Sequence, residues 1–130
     1  MQRDLDLIRE IMLALERSPN LNGRANIMGH ASELLPSIER NDDELAYHLM
    51  LILEEKWLVG VYVRISGQFL LERLTKDGHD FIDATRDRGI WDKAKSRASD
   101  AGGATLGFVW EIAKTLIRNE ITKHIGPLLP

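Results

Sequence analysis

The chain has no cysteine. That excludes disulfides and thiolate nucleophiles, removes the sulfur ligands of structural zinc, and leaves the redox compartment open. No stretch is apolar for long enough to span a bilayer. The start, Met1-Gln2-Arg3-Asp4-Leu5-Asp6, alternates charged with apolar residues and does not read as a signal peptide, so a cytoplasmic protein is expected. No strong excess of either charge is present: 17 Lys and Arg against 20 Asp and Glu give a net charge of −3. A non-specific nucleic-acid binder normally carries a basic face, and this balance argues mildly against one while leaving room for a local patch. Internal repeats and low-complexity stretches are also missing.

Catalytic constellations are equally scarce. The four histidines are His30, His48, His79 and His124, and none pairs with another at metal-ligand spacing. His79 and Asp83, and likewise Glu44 and His48, stand one helical turn apart. Such a pair can orient a general base, yet no nucleophile or oxyanion site accompanies either. Gly102-Gly103 lacks the Lys-Ser/Thr of a phosphate loop and reads as a turn. Trp57, Trp91 and Trp110 each sit in an amphipathic setting and read as core or interface anchors rather than a ligand cage. No enzyme, cofactor or metal is expected.

What remains is ordinary globular material. Hydrophobic residues make up 44% and charged residues 28% of 130 residues, enough for one domain with its own core. Leu5, Ile8, Ile11, Met12 and Leu15 recur at helical spacing, and Ser18-Pro19-Asn20 with Asn22-Gly23 end that helix. Over residues 24–40 the pattern is ambiguous, with a short strand at Ala25–Met28 and a helical turn at Ser32–Leu35, ended by Pro36, as the readings. A second helix begins at Asn41 or Asp42. Asn41 can cap it, Glu44 occupies the capping-box position, and Asp42, Asp43 and Glu44 suit the positive end of the helix dipole. Its core stripe is Leu45, Leu49, Ile52 and Leu53.

Val59, Val61, Val63 and Ile65 then alternate with Gly60, Tyr62 and Arg64, the pattern of a strand. Ser66-Gly67-Gln68 can turn the chain, and Phe69–Leu74 returns as the second strand of a hairpin. Thr75 can cap a following helix whose buried side is Phe81, Ile82 and Ala84; Gly78 and His79 are expected to pack, and Gly89 permits a bend before Trp91. Ala101-Gly102-Gly103 is the clearest break. Thr105 can cap a last long helix with Phe108, Val109, Ile112, Leu116 and Ile121 on its apolar side. Gly126–Pro130 cannot continue a helix.

Three segments carry a resemblance: Arg3-Asp4-Leu5-Asp6-Leu7-Ile8-Arg9, Tyr47-His48-Leu49, and the run Leu74-Thr75-Lys76-Asp77-Gly78-His79-Asp80-Phe81-Ile82 continued by Arg86-Asp87 and Ile90-Trp91-Asp92-Lys93. Together they resemble family 2513 of the domains of unknown function, small proteins of bacteria, phages and prophages, over about the first three-quarters of the chain. The resemblance implies a prophage or mobile-element origin and brings no activity with it. Separately, Glu44–Leu49 through Trp57-Leu58-Val59 is similar to the recognition helix and wing entry of bacterial winged-helix repressors. Those often end the helix on glycine, where this chain has Lys56.

The expected fold is therefore α+β, mostly helical: a winged helix (helix-turn-helix with a β-hairpin wing) over residues 1–101, and a C-terminal helix and tail over 104–130 as a dimerisation element. The candidate contact residues are Tyr47, His48, Leu51 and Lys56 on the helix and Arg64, Ser66 and Gln68 at the hairpin tip. With Leu45, Leu49 and Ile52 turned inward, the outer helix face carries Asp43, Tyr47, Met50, Leu51 and Glu54, with His48 on its flank. Acids over phosphates are repelled, so this face suits a protein better than DNA, whereas Arg64 and its neighbours suit a DNA backbone. Arg86, Arg88, Lys93, Lys95 and Arg97, interleaved with Asp83, Asp87 and Asp92, read first as a solvated helix laced with ion pairs. The expected function is a prophage-type transcriptional regulator that binds double-stranded DNA as a homodimer; the alternative is an interaction module of the same shape that binds and inhibits a host protein.

Overall fold

The computed structural model describes the backbone of residues 1–125 and the side chains of residues 1–122. It divides into two compact units, Met1–Ile82 and Asp83–Pro130. The tail expected over Gly126–Pro130 lies outside the described residues. The boundary expected at 101–104 falls inside the second unit.

In the first unit the order is α1 (Leu5–Arg17), β1 (Asn22–Gly29), α2 (Ala31–Leu34), α3 (Asp42–Glu54), β2 (Leu58–Val63), β3 (Gln68–Leu74) and the start of α4 (Lys76–Thr85). The core of α1 is Leu7, Ile8, Ile11, Met12 and Leu15, all at most 2% exposed. Leu7 thus takes the place expected for Leu5, which is half-buried. The N-cap is Asp4, whose side chain accepts the Leu7 N–H. On α3, Asn41 caps as expected, accepting the Glu44 N–H at 2.8 Å. The buried side of α3 is Leu45, His48, Leu49 and Ile52. Leu53, expected there, is half-buried.

The sheet is antiparallel with order β1-β3-β2. β1 extends the expected Ala25–Met28 at both ends. Asn22 faces Arg73 while Ile27 faces Leu71, so five steps along β1 span two along β3, and Gly23–Asn26 bulge out of the edge. A left-handed glycine, Gly23 at φ +83°, opens the bulge, as only a residue without Cβ does cheaply. β2 and β3 form a hairpin from Leu58↔Leu74 to Val63↔Gln68.

The ends of the hairpin meet in one tight junction. α3 closes with the Trp57 N–H on the Ile52 carbonyl and the Lys56 N–H on the Leu53 carbonyl, the paired bonds of a Schellman motif. The residue in the left-handed position is Lys56, at φ +61°. Thr75 then donates its hydroxyl to the Lys56 carbonyl at 2.8 Å and its N–H to the Trp57 carbonyl at 3.0 Å. The same hydroxyl accepts the Gly78 N–H and so caps α4. A Cβ on Gly78 would lie 2.2 Å from the Trp57 carbonyl oxygen, so only glycine fits. One turn on, Phe81 stacks on Trp57 with centroids 4.2 Å apart. The Leu-Thr-x-x-Gly-His-x-Phe string is thus a packing device, with one correction: His79 is exposed rather than packed.

The second unit holds α5 (Arg88–Asp100) and α6 (Leu106–Ile125), which pack on each other. Asp87 caps α5, and the Thr105 hydroxyl caps α6 by accepting the Phe108 N–H. Trp91, Ala94, Ala98, Leu106, Val109 and Ala113 are buried. The expected apolar side of α6 is therefore corrected by about a quarter turn: Val109 is inside, Ile112 and Leu116 are half-buried, and Phe108 and Ile121 are 41% and 51% exposed.

Candidate functional site

The seven residues expected to make contacts fall into three environments. His48 is withdrawn from the surface. It is 1% exposed, and both ring nitrogens are occupied by backbone: Nδ1 lies 2.7 Å from the Glu44 carbonyl, and Nε2 accepts the Asp4 N–H at 2.9 Å. A carbonyl only accepts and an amide N–H only donates, so the proton sits on Nδ1. The side chain joins the start of α1 to α3 and reaches no partner. His48, expected on the flank of the outer face, takes a core position because a buried polar residue with both partners satisfied costs little.

Tyr47 and Leu51 are half-buried, and the Tyr47 ring stands edge-on to His48 at 5.5 Å. On the outward side of α3 only Asp43 and Glu54 are exposed. Asp42 is committed to the Ser32 N–H at 2.9 Å, and this bond holds its carboxyl below the usual range. Arg40 bridges Glu44 and Asp4 at 2.8 and 3.2 Å. The helix has no cation of its own before Lys56, which is exposed.

At the hairpin tip, Arg64 and Ser66 are exposed and Gln68 is half-buried. The Gly67 N–H bonds the Val63 carbonyl at 2.9 Å, and the His30 ring holds the Gly67 carbonyl through Nδ1 at 3.2 Å. Because Gly29 of β1 is already paired with Phe69, the sheet is paired almost to the tip. Only Arg64–Gly67 project, so the hairpin tip is short and pinned.

A surface the sequence reading passed over lies on the outside of the sheet. Tyr62 pairs with Phe69 and Gly60 with Leu71 toward the core, where Phe69 and Leu71 are fully buried. A Cβ on Gly60 would meet the Leu70 carbonyl at 2.5 Å. The alternation along β2 therefore turns Val59, Val61 and Val63 outward. Met28 pairs with Leu70 and Leu70 with Val61, so three apolar side chains form one row across all three strands. Met28 is 60% and Val61 55% exposed, and Ile65 at the tip is fully exposed. Asn26, Val59, Val61, Leu70 and Glu72 line a shallow depression beside this row.

The first unit as a whole carries nine Lys and Arg against fourteen Asp and Glu, a net of −5. In the second unit the expected ion pairs are present, but on two elements rather than one helix: Arg86–Asp83 at 3.2 Å at the end of α4, and Arg88–Asp92 at 3.6 Å and Lys95–Asp92 at 3.8 Å along α5. Among the described residues no group of three His, Cys, Asp or Glu could hold a metal ion. No helix among them is long and apolar enough to cross a membrane.

The family described as "Hypothetical protein (DUF2513)" matches residues 2–104. The chain belongs to this family. The match takes in the first unit from Gln2 onward and α5, and ends at the turn before α6. A relative called "Uncharacterized protein", from Haemophilus influenzae (strain ATCC 51907 / DSM 11121 / KW20 / Rd), is 27% identical over 122 residues, 90% of this chain and 96% of the relative. No solved structure matches the chain significantly.

Proposed function

We propose that the first unit of this DUF2513 protein is a winged helix that acts in the cytoplasm as a protein-binding module, without catalysis. Its order of helix, strand, two helices and hairpin, with β1 against β3, is the order of winged-helix domains and supports that part of the reading. The observation that carries the binding mode is the outward row Met28–Leu70–Val61 with Ile65 beyond it. Burying such a row gains nothing against phosphate but contributes about 25 cal/mol per Å2 against another apolar surface. The unit's charge of −5 points the same way, since a partner with basic flanks is attracted and duplex DNA is repelled. The mobile-element setting implied by the family resemblance makes a host protein the partner class, with inhibition as the outcome of binding.

Duplex DNA is the second reading, favoured by the element order and by the exposed Arg64 and Lys56 beside α3. One pair of experiments separates the two. Met28→Glu, on an exposed edge position, should abolish capture of the host partner while leaving thermal unfolding unchanged; capture at wild-type levels by Met28→Glu and by Val61→Glu refutes the sheet-face reading. Binding to fluorescent duplexes at low salt that falls steeply as salt rises, and is weakened by Arg64→Ala, would establish the DNA reading instead.

A further inference from the structure

A hairpin of two helices covers only one side of each, and here the other side is shaped. Between α5 and α6 runs a groove of about 410 Å3, walled by Arg97 on α5 and Ala101 just past its end, and by Phe108, Glu111, Ile112 and Thr115 on α6. Its apolar content is unsatisfied within the chain: Phe108 is 41% exposed. Beside it Gly107 leaves open space, with nothing within 4 Å of where a Cβ would stand. The two walls bear opposite charges, Arg97 on one and Glu111 on the other. Arg97 makes no ion pair among the described residues, and Glu111 holds Lys114 at 2.7 Å along its own helix.

We infer that this groove is closed by a second copy of the chain across a twofold axis. In a twofold pair the same patch meets itself, so every contact from one residue to another occurs twice. One plug and one slot per copy, with one cation and one anion per copy, are what such an axis requires. Each Phe108 enters the partner copy's groove against Ala101 and Ile112, and the two rings meet beside the axis as an aromatic pair. Each Arg97 faces the other copy's Glu111. The charge pattern is complementary to itself, and an unrelated partner would have to reproduce it.

The size of the face sets the strength. Two helices side by side are about 20 Å wide, and the part of α6 whose side chains are described is about 25 Å long at 1.5 Å per residue. That gives about 500 Å2 per copy and about 1,000 Å2 in all, the lower end of specific interfaces. An interface this small belongs to the weak, concentration-dependent class, for which we take a Kd on the order of tens of micromolar. Whatever the sheet face binds has no bearing on this pairing.

Sedimentation velocity from about 5 to about 500 μM, spanning that Kd, tests it on the full chain. The mass should rise from the 14.8 kDa of one chain towards twice that value. Arg97→Glu alone sets acid against acid, and Glu111→Arg alone sets base against base, so each should weaken self-association about ten-fold or more. An equimolar mixture of the two single variants should form a heterodimer, because both cross-axis pairs are then of opposite sign. The double variant Arg97→Glu/Glu111→Arg should dimerise like the wild type. Recovery in the mixture and in the double variant cannot come from misfolding. A wild type that stays monomeric at the highest concentration overturns the proposal, as does a dimer that neither single substitution weakens or that mixing the single variants does not restore.

Discussion

Replacing Lys56 by glycine should stabilise the protein. Lys56 occupies the left-handed position of the Schellman turn that ends α3, at φ +61°, and its side chain is exposed. The left-handed region costs an L-residue with a Cβ about 1–2 kcal/mol, and glycine nothing. Against that, glycine enlarges the unfolded ensemble, worth roughly 0.4–1 kcal/mol in the other direction. Any favourable interaction of the Lys56 charge with the helix C-terminus, about 0.3–1 kcal/mol at an exposed site, is lost as well. At the middle of each range the balance is a gain of about 0.2 kcal/mol over the wild type and about 0.8 kcal/mol over Lys56→Ala, the latter visible as a difference in Tm of roughly 2–4 °C and as a higher urea midpoint at unchanged slope. Lys56→Ala separates the contributions, because it removes the charge and keeps the Cβ; it should be neutral or slightly destabilising. A glycine variant less stable than the wild type, or an alanine variant that gains as much as glycine, would refute the backbone argument.

Two further substitutions probe the same framework. Gly78→Ala puts a methyl 2.2 Å from the Trp57 carbonyl oxygen, backbone that cannot swing aside, and should cost at least about 2–3 kcal/mol in urea unfolding; a loss below about 1 kcal/mol would mean that α4 and the α3–β2 junction slide apart freely. Asp42 is held below its ordinary value of 3.8 by the Ser32 N–H. In acid the unfolded chain therefore binds this proton first, so the contribution of Asp42 is present above 3.8 and is lost as pH falls through the depressed value. Asp42→Asn should flatten the stability–pH curve below pH 3.8, and an unchanged slope there would show that the Ser32 contact is not maintained in solution.

Much of the first unit can be read from local chemistry. Asn41 and Thr75 announce helix starts because a side-chain oxygen followed by free N–H groups has one favourable use, and the structure places both as caps. The second strand of the hairpin follows from its turn. Other features depend on what lies across the chain. Alternation along Val59–Val63 establishes a strand but is silent on which parity faces the core. That is decided by Phe69 and Leu71 on β3, which fill the interior and leave room for Gly60 alone. The outward apolar row was hidden for the same reason, since Met28, Leu70 and Val61 become neighbours only through pairing. β1 was blurred by its bulge, which destroys the period-2 signal over Gly23–Asn26. His48 could not be placed because its partner Asp4 is 44 residues away.

The junction of Lys56, Thr75 and Gly78 has a consequence for how this scaffold can change. The hairpin leaves and re-enters the helical body at a single tied point, Leu58 facing Leu74, with Thr75 fastened to Lys56 and Trp57 behind it. Phe69 and Leu71 keep the hairpin stem in the core, but the tip beyond Val63 and Gln68 is mechanically separated from α3 and α4. The tip Arg64–Gly67 could be lengthened at a loop-closure cost of only about 0.6 kcal/mol per doubling, plus the single bond from His30 to Gly67. Selection can thus revise what the hairpin touches while the helices keep their sequence, and an engineer could use Val63 and Gln68 as the stems for a transplanted recognition loop.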